Sequence, residues 1–422
     1  MATYGKILLV AMPIFLLLVL FEKWYGWKRG KDTVRTLDMI SSLSSGITNV
    51  TKDVLGLSLA ILSYHWMVEH WSLFPVTHHW LTYVIAFGVL DLSGYWVHRF
   101  AHEYNFFWNN HIIHHSSEEF NLACALRQSI SVFVRLFTVF LLPAALLGVP
   151  ESVIAITAPL HLFAQFWYHT QHIGKMGIWE KIIVTPSHHR VHHAINPEYI
   201  DKNYAQIFII WDKLFGTFQP ELDSVKPVYG ITRPVRTWNP IKINFQHLAR
   251  LIRDAWNTQS WKDKLRIWWM PTGWRPEDVQ VKYPLDKITD VYHFAKYDTP
   301  AKKSFKAWCW IQISVTLLLI SYFFGNIHFI HQLHPGYLYL YGLFIFLNVY
   351  AYTDLMDRNA SAWLVEAVKN CLGCYWIYST GDWFGLQRWG MGYPLLLAFY
   401  FIVATVVVIA ISWSWPKTQV IN

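Results

Sequence analysis

The chain has 422 residues, of which 54% are hydrophobic, 18% aromatic and only 15% charged, and its formal net charge is +8. Soluble domains carry about 25% charged residues, so this composition argues against a soluble enzyme and predicts an all-α, polytopic membrane protein. The positive excess suits a face lying against anionic lipid heads. It is spread through loops without a recognition motif, which argues against nucleic acid as a partner.

A bilayer crossing takes about 20 apolar residues. In chain order such runs fall at 5–25, 54–75, 80–98, 129–149, 305–325, 336–353 and 393–413. Two weaker runs are 151–171, interrupted by Pro159, His161 and Gln165, and 361–379, interrupted by Glu366, Lys369 and Asn370. The sequence thus predicts seven to nine spanning or re-entrant helices. Lys23, Lys28, Arg29, Lys31 and Arg35 lie on the far side of the first run. Signal peptides carry their charges before the apolar core, so this run reads as a retained anchor with its C-terminal end in the cytoplasm. Counting spans from that anchor brings every histidine cluster to the cytoplasmic side.

Four zones follow. Residues 1–90 are anchoring helices, 91–218 carry the chemistry, 219–304 form a cytoplasmic segment rich in Trp and Pro, and 305–422 return to membrane helices. The four cysteines form no disulfide framework. Cys371 and Cys374 have CxxC spacing but no βαβ context, and read as small buried thiols.

Between Asp91 and His193 lie twelve of the 21 histidines. They run His98-Arg-Phe-Ala-His102, His111-Ile-Ile-His114-His115, His169-Thr-Gln-His172 and His188-His189-Arg-Val-His192-His193. Positions i, i+3 and i+4 share a helix face, so each cluster presents two or three imidazoles together. Chance would supply an HxxHH only about 0.05 times in such a chain, yet two occur within 80 residues of each other. About eight to ten imidazoles exceed the needs of one ion and suit two, and all-imidazole ligation suits Fe, Zn, Cu or Ni.

Other polar residues flank the clusters. Glu103 would accept a hydrogen bond from a ligand imidazole or pair with Arg99. Asp201 is a second such carboxylate. Ser116 and Glu119 have the spacing of a helix capping box. Asn121, Arg127 and Gln128 lie on a polar approach where a headgroup or cofactor would bind.

HxxxH at 98–102 and HxxHH at 111–115 and 189–193 resemble the fatty acid hydroxylase/sterol desaturase superfamily of membrane di-iron oxygenases, over roughly 90–220. The segments His98-Arg-Phe-Ala-His102-Glu103, Ala125-Leu-Arg-Gln-Ser129, Ile200-Asp-Lys-Asn-Tyr-Ala205 and Trp211-Asp-Lys-Leu-Phe-Gly-Thr-Phe218 are similar to its branch that opens alkyl ethers of glycerol. The resemblance implies a pair of iron ions held by His98, His102, His111, His114, His115, His169, His189, His192 and His193. His172 stands one residue closer to His169 than in the relatives' HxxxH pair, and His188 is ambiguous beside the matching box; both remain candidate ligands.

The implied reaction hydroxylates the carbon next to the ether oxygen of an alkylglycerol or lysoalkyl phospholipid and releases a fatty aldehyde. The implied donor is tetrahydrobiopterin, regenerated by an external reductase. The implied location is the endoplasmic reticulum in a eukaryote or the inner membrane in a bacterium. A fatty acid, sterol or carotenoid hydroxylase or desaturase of the same superfamily is the alternative, distinguished by its electron supply. A metal or proton transporter is the rival from another class; it would need polar residues at mid-bilayer, whereas the predicted spans read as apolar at their centres.

Overall fold

The computed structural model describes residues 2–60, 62–132, 134–135 and 137–415. It is mainly helical, with long irregular stretches at 215–239 and 283–302. Among the described residues the only sheet is the parallel pairing of β1 (Leu59–Ala60) with β2 (Val134–Arg135). The helices begin with α1 (Ala2–Lys28), α2 (Thr36–Val54), α3 (Tyr64–Trp71) and α4 (Trp80–Glu103). Single turns α5 (Asn105–Trp108) and α6 (Ile112–His115) follow, then α7 (Leu142–Leu146), α8 (Glu151–Phe163), α9 (Pro186–His192) and α10 (Ile210–Leu214). The next segment holds α11 (Pro240–Asn257), α12 (Trp261–Arg266) and α13 (Glu277–Lys282), and the chain closes with α14 (Lys303–Leu333), α15 (Tyr337–Met356), α16 (Ala362–Thr380) and α17 (Tyr393–Trp413).

Among the described residues five helices are long and apolar enough to cross a membrane, α1, α4, α14, α15 and α17, against an expectation of seven to nine spanning or re-entrant helices. The run 54–75 breaks at Gly56, which has φ +67°, and yields only the short strand β1 and the eight-residue α3. The run 129–149 becomes β2, a 3-10 turn and the five-residue α7 before Gly148 turns the chain at φ +72°; its residues 133 and 136 lie outside the described residues. The run 151–171 stops at Phe163 after thirteen helical residues, about 20 Å of helix. The weak run 361–379 is a continuous helix, α16, with Glu366, Lys369 and Asn370 all buried. There the sequence expectation of apolar span centres fails. Lys369 bonds Glu366 at 2.8 Å and Asn348 at 2.6 Å, and Tyr400 reaches Gln312 at 2.9 Å. On the same helix Cys371 is exposed rather than buried.

The apolar core joins α1 and α2 to the C-terminal helices through residues such as Ile40, Ile47, Ile313, Phe323, Ile345 and Phe401. α2 explains how the chain is threaded. It buries Ser41, Ser42, Ser44, Ser45, Thr48 and Thr51, several of which return their hydroxyls to carbonyls one turn back, as Ser44 does to Ile40 and Thr51 to Ile47. Such small polar residues allow close helix approach within a membrane. Ser44 meets Tyr352 near the end of α15, and Leu55 sits where a Cβ on Gly342, near the start of α15, would collide with it. α2 therefore runs antiparallel to α15 and carries the chain back over about 16 Å.

As a result the C-terminal ends of α1, α4 and α15 and the N-terminal end of α14 share one end of the bundle. Tyr25 of α1 packs on His172, the last residues of α4 carry His98 and His102, Asp357 after α15 accepts from Trp238 N at 2.6 Å, and Thr299 before α14 donates to Met356 O at 2.9 Å.

Candidate metal centre

α4 delivers His98 and His102 from successive turns on one face. His111 stands at the N-terminal end of α6, with His114 and His115 inside it. α9 starts sharply, with Thr185 as its cap and Pro186 in its first turn, a position that suits proline because no N–H is needed there. That start sets His189 and His192 on the inner side, followed by His193. His169 comes from the loop after α8, its N–H held by Phe166 O at 3.3 Å.

Four of these rings are anchored through Nδ1 to backbone carbonyls. His98 pairs with Tyr204 O at 2.7 Å, His192 with Lys202 O at 3.0 Å, His169 with Gln165 O at 3.1 Å and His114 with Arg127 O at 3.3 Å. A carbonyl accepts only, so Nδ1 carries the proton and Nε2 presents a lone pair.

The Nε2 atoms converge in two groups. His98, His102, His111, His115 and His192 form one; His114, His169, His189 and His193 form the other. In the first, Nε2–Nε2 separations are 2.9 Å for His98–His111, 3.1 Å for His102–His115, and 3.0 Å for both His115–His111 and His192–His115. In the second they are 2.9 Å for His189–His169, 3.1 Å for His193–His114 and for His193–His189, and 3.4 Å for His169–His114. With metal–imidazole bonds of about 2.0–2.1 Å, neighbouring ligands at right angles lie about 3 Å apart. Lone pairs aimed at one another at this distance repel unless a cation lies between them, so the donor sets fit metal ions. The two groups interlock: His115 of the first stacks on His193 of the second with ring centroids 4.3 Å apart.

The surroundings keep the seven rings outside α4 neutral. Burial, followed by the neighbouring imidazoles, holds His111, His114, His115, His189, His192 and His193 well below the usual histidine range. Burial lowers His169 to about 4. Neutral imidazole is the metal-binding form.

All nine histidines selected by spacing lie in these two groups. His172 does not: it is half-buried and meets Thr33 Oγ1 at 3.1 Å. His188 also stands apart. Its Nδ1 accepts from Thr185 N at 3.4 Å and closes the cap of α9, while its ring meets Phe218. Asp201 faces Nδ1 of His102 at 3.6 Å. Glu103 pairs with Arg99 at 2.7 Å. Asn121 donates to Thr33 O at 2.8 Å, and Gln128 donates to Ala125 O at 3.0 Å. Arg127 pairs with Asp38 and donates to Ser42 and Ser116. Ser116 and Glu119 start no helix; Glu119 instead pairs with Arg35 at 2.6 Å and Lys296 at 3.0 Å.

Several supporting residues were not singled out by spacing. Asp212 accepts from Tyr204 N at 2.7 Å and Ala205 N at 2.9 Å, fixing the loop whose carbonyls hold His98 and His192. Glu22 of α1 accepts from Leu122 N at 2.6 Å and Thr170 Oγ1 at 2.5 Å, which ties the anchor to the residue after His169. Asp91 of α4 accepts from His161, from Ile207 N and Phe208 N, and from Trp211 Nε1.

Residues 80–217 match the family model described as fatty acid hydroxylase. The chain is 35% identical to alkylglycerol monooxygenase of Homo sapiens over 377 residues, which cover 88% of this chain and 82% of that one. It is 34% identical to alkylglycerol monooxygenase of Danio rerio, over 97% of this chain and 89% of the other. A more distant relative, ornithine lipid hydroxylase OlsE of Rhizobium tropici, is 30% identical over 36% of this chain and 46% of its own length. No solved structure matches the chain.

Proposed function

The chain belongs to the alkylglycerol monooxygenase family, an integral-membrane lipid hydroxylase, and on that premise we propose that it cleaves the alkyl ether bond of alkylglycerols or lysoalkyl phospholipids. The observation that carries this reading is the pair of converging imidazole groups at one end of the bundle. We assign one iron ion to His98, His102, His111, His115 and His192, and a second to His114, His169, His189 and His193. Bound there, iron would supply activation of O2.

The net reaction balances. One oxygen atom of O2 enters the C–H bond next to the ether oxygen, and the other leaves as water. Tetrahydrobiopterin gives up two electrons and two protons, and a separate reductase regenerates it. The hemiacetal so formed collapses to a fatty aldehyde and a free glycerol hydroxyl.

The protein's own part is orientation and exclusion of water. The carbonyls of Tyr204, Lys202, Gln165 and Arg127 hold four rings by Nδ1. Asp201, opposite Nδ1 of His102, would keep the proton on that atom and leave Nε2 free for the metal. Glu103, through Arg99 and its contact to Tyr95 OH at 3.3 Å, would steady the same helix. A shallow, largely apolar groove of about 610 Å3 runs between α1 and the end of α8, lined by Ile7, Val10, Ala11, Ile14, Phe15 and Phe163, with Lys6 at its outer end. It suits the alkyl chain. Phe15 packs 4.5 Å from Phe166, three residues before His169, and we place the alkyl chain in the groove with its polar end towards the second group.

In this reading 91–218 is the oxygenase core, 219–304 a cytoplasmic strap, and 1–90 and 305–422 membrane helices around them. The histidine end faces the cytoplasm, from the endoplasmic reticulum of a eukaryote or the inner membrane of a bacterium. The test is metal analysis of anaerobically purified protein, together with aldehyde release from alkylglycerol with and without tetrahydropterin. Iron near two ions per chain and pterin-dependent aldehyde are expected. A preparation free of iron that still released aldehyde, or one indifferent to pterin, would overturn the proposal.

A further inference from the structure

α11 lies across the end of the bundle rather than along it. Just before its first turn Asn239 donates to Tyr350 O of α15 at 3.2 Å, and within it Lys242 pairs with Asp354. Farther along, His247 Nε2 lies 3.1 Å from the carbonyl of Asn105, two residues past α4. The chain then turns back through α12 and pairs with the last residues of α4. Thr272 N donates to Glu103 O at 3.1 Å, Asn105 N to Met270 O at 3.0 Å and Phe106 N to Trp268 O at 2.9 Å. These main-chain bonds fix the height of the segment at the end of a helix long and apolar enough to cross a membrane.

The outer face of this segment is apolar. α11 buries Asn244, His247 and Asp254 beside Ile243 and Leu251, whereas Ile252 and Trp256, on one face by their i, i+4 spacing, are 53% and 82% exposed. On α12 Trp261 and Leu265 are 78% and 72% exposed, and exposed Trp269 continues the same four-residue spacing. The two helices meet at this face. Lys264 stacks its ammonium over the Trp261 ring at 5.5 Å and donates to the carbonyls of Ala255 and Trp256, both at 3.1 Å. At the other end Trp269 packs on Phe106 and Phe107, with ring centroids 5.8 and 5.9 Å away. A ridge of large apolar side chains thus leads from the end of α4 along α12 to the end of α11. A continuous apolar ridge of this kind marks a surface that water does not cover. Arg253 and Lys262 are exposed on the same two helices, and Arg266 stacks on Trp274 at 4.8 Å. The carboxylates of the two helices are only Asp263 and Asp254, and Asp254 is taken by Arg275 at 2.6 Å. Tryptophans with cations beside them, at the height where a span ends, match the boundary between acyl chains and anionic lipid heads.

We infer that the elbow between α11 and α12 is an in-plane membrane anchor, seated in the leaflet at the histidine end with Ile252, Trp256, Trp261, Leu265 and Trp269 among the lipid heads and upper acyl chains. Its seat depends on α4 spanning the bilayer and on no step of the chemistry.

The test places a nitroxide on the full chain in nanodiscs of phosphatidylcholine and phosphatidylserine. The labelled positions are Trp261→Cys, Leu265→Cys and, as a water-facing control, Asp223→Cys, whose side chain is 92% exposed. Cys371 and Cys374, the two cysteines that are not buried, are replaced by Ser. Power saturation then compares relaxation by O2, which concentrates among acyl chains, with relaxation by a nickel chelate, which stays in water. O2 should dominate at positions 261 and 265 and the chelate at 223, a reversal of preference within one molecule. Two positions on one face keep the result readable if either variant fails to fold. Chelate relaxation at 261 and 265 equal to that at 223 would put the face in water. Protection from both reagents would put it against protein, such as a second copy of the chain. Either result would overturn the anchor.

Discussion

Arg127 and Asp38 stand 89 positions apart in the chain and meet at 2.8 Å, neither side chain more than 2% exposed. The pair joins the buried helix α2 to the histidines. Ser117 donates to both Asp38 oxygens at 2.9 Å, and the Arg127 carbonyl faces Nδ1 of His114 at 3.3 Å. Removing one partner of a buried pair leaves a charge without compensation, at a cost of about 3–5 kcal/mol. Asp38→Ala should therefore unfold at markedly lower denaturant and lose metal from the group containing His114. Asp38→Asn should keep the Ser117 contact and recover part of the metal content. Wild-type metal content in Asp38→Ala would show that the pair does not position His114.

The ligand assignment separates the histidines into two tiers. His111→Ala and His193→Ala each remove a ring from one group and should lower iron content by about half, abolishing turnover while insertion persists. His172→Ala should retain both ions, since its ring contacts Thr33 and Tyr25. Full activity in His193→Ala, or metal loss in His172→Ala, would refute the assignment.

The site was legible in the sequence because helical spacing is local: His98 and His102, or His189, His192 and His193, share a face wherever the helix goes. The residues that orient them were less so. Tyr204 and Lys202 act through backbone carbonyls that any side chain would supply, and Asp38 finds Arg127 only after α2 is folded against the loop. The spans were misjudged for a related reason. Hydropathy counted 54–75 as a crossing, whereas the Ser/Thr-rich α2 carries the chain back along α15 by burying its polar face in protein. Hydropathy also undervalued α16, whose Glu366 and Lys369 satisfy each other inside the bundle.

That buried pair gives a third prediction. Glu366 and Lys369 are each 1% exposed and bonded at 2.8 Å. Lys369→Met should cost about 3–5 kcal/mol by stranding a carboxylate, whereas Glu366→Gln combined with Lys369→Met should recover most of the loss. Unfolding titrations of the single and double variants read this directly. A double variant no more stable than Lys369→Met would show that charge compensation is not the reason the two residues coexist.

His247 should impose an acid limit on stability. It is 3% exposed, its Nε2 lies 3.1 Å from Asn105 O, and burial, then the Arg250 charge, pushes it down to about 4. An unfolded histidine titrates near 6.5, so between these values the unfolded chain binds the extra proton. The contribution is complete above about pH 6.5 and is lost as pH falls towards 4, on the order of 3 kcal/mol in all. His247→Gln should flatten the stability–pH curve across that window relative to wild type. Parallel curves would mean that His247 takes its proton without loss of the fold.

The groove on α1 makes chain length the readout of substrate placement. Ala11 lines it one helical turn from both Ile7 and Phe15, so Ala11→Trp should fill its middle without touching a histidine. A long alkyl chain would lose contacts there, each displaced methylene costing about 0.8 kcal/mol, roughly fourfold in affinity. A short chain, ending nearer Phe15 and Phe166, would lose little. The expected result is a raised KM for hexadecylglycerol, a nearly unchanged KM for octylglycerol, and unchanged iron content. Equal effects on both substrates would place the alkyl chain elsewhere on the lipid-facing surface while leaving the metal assignment intact, because no histidine lines the groove.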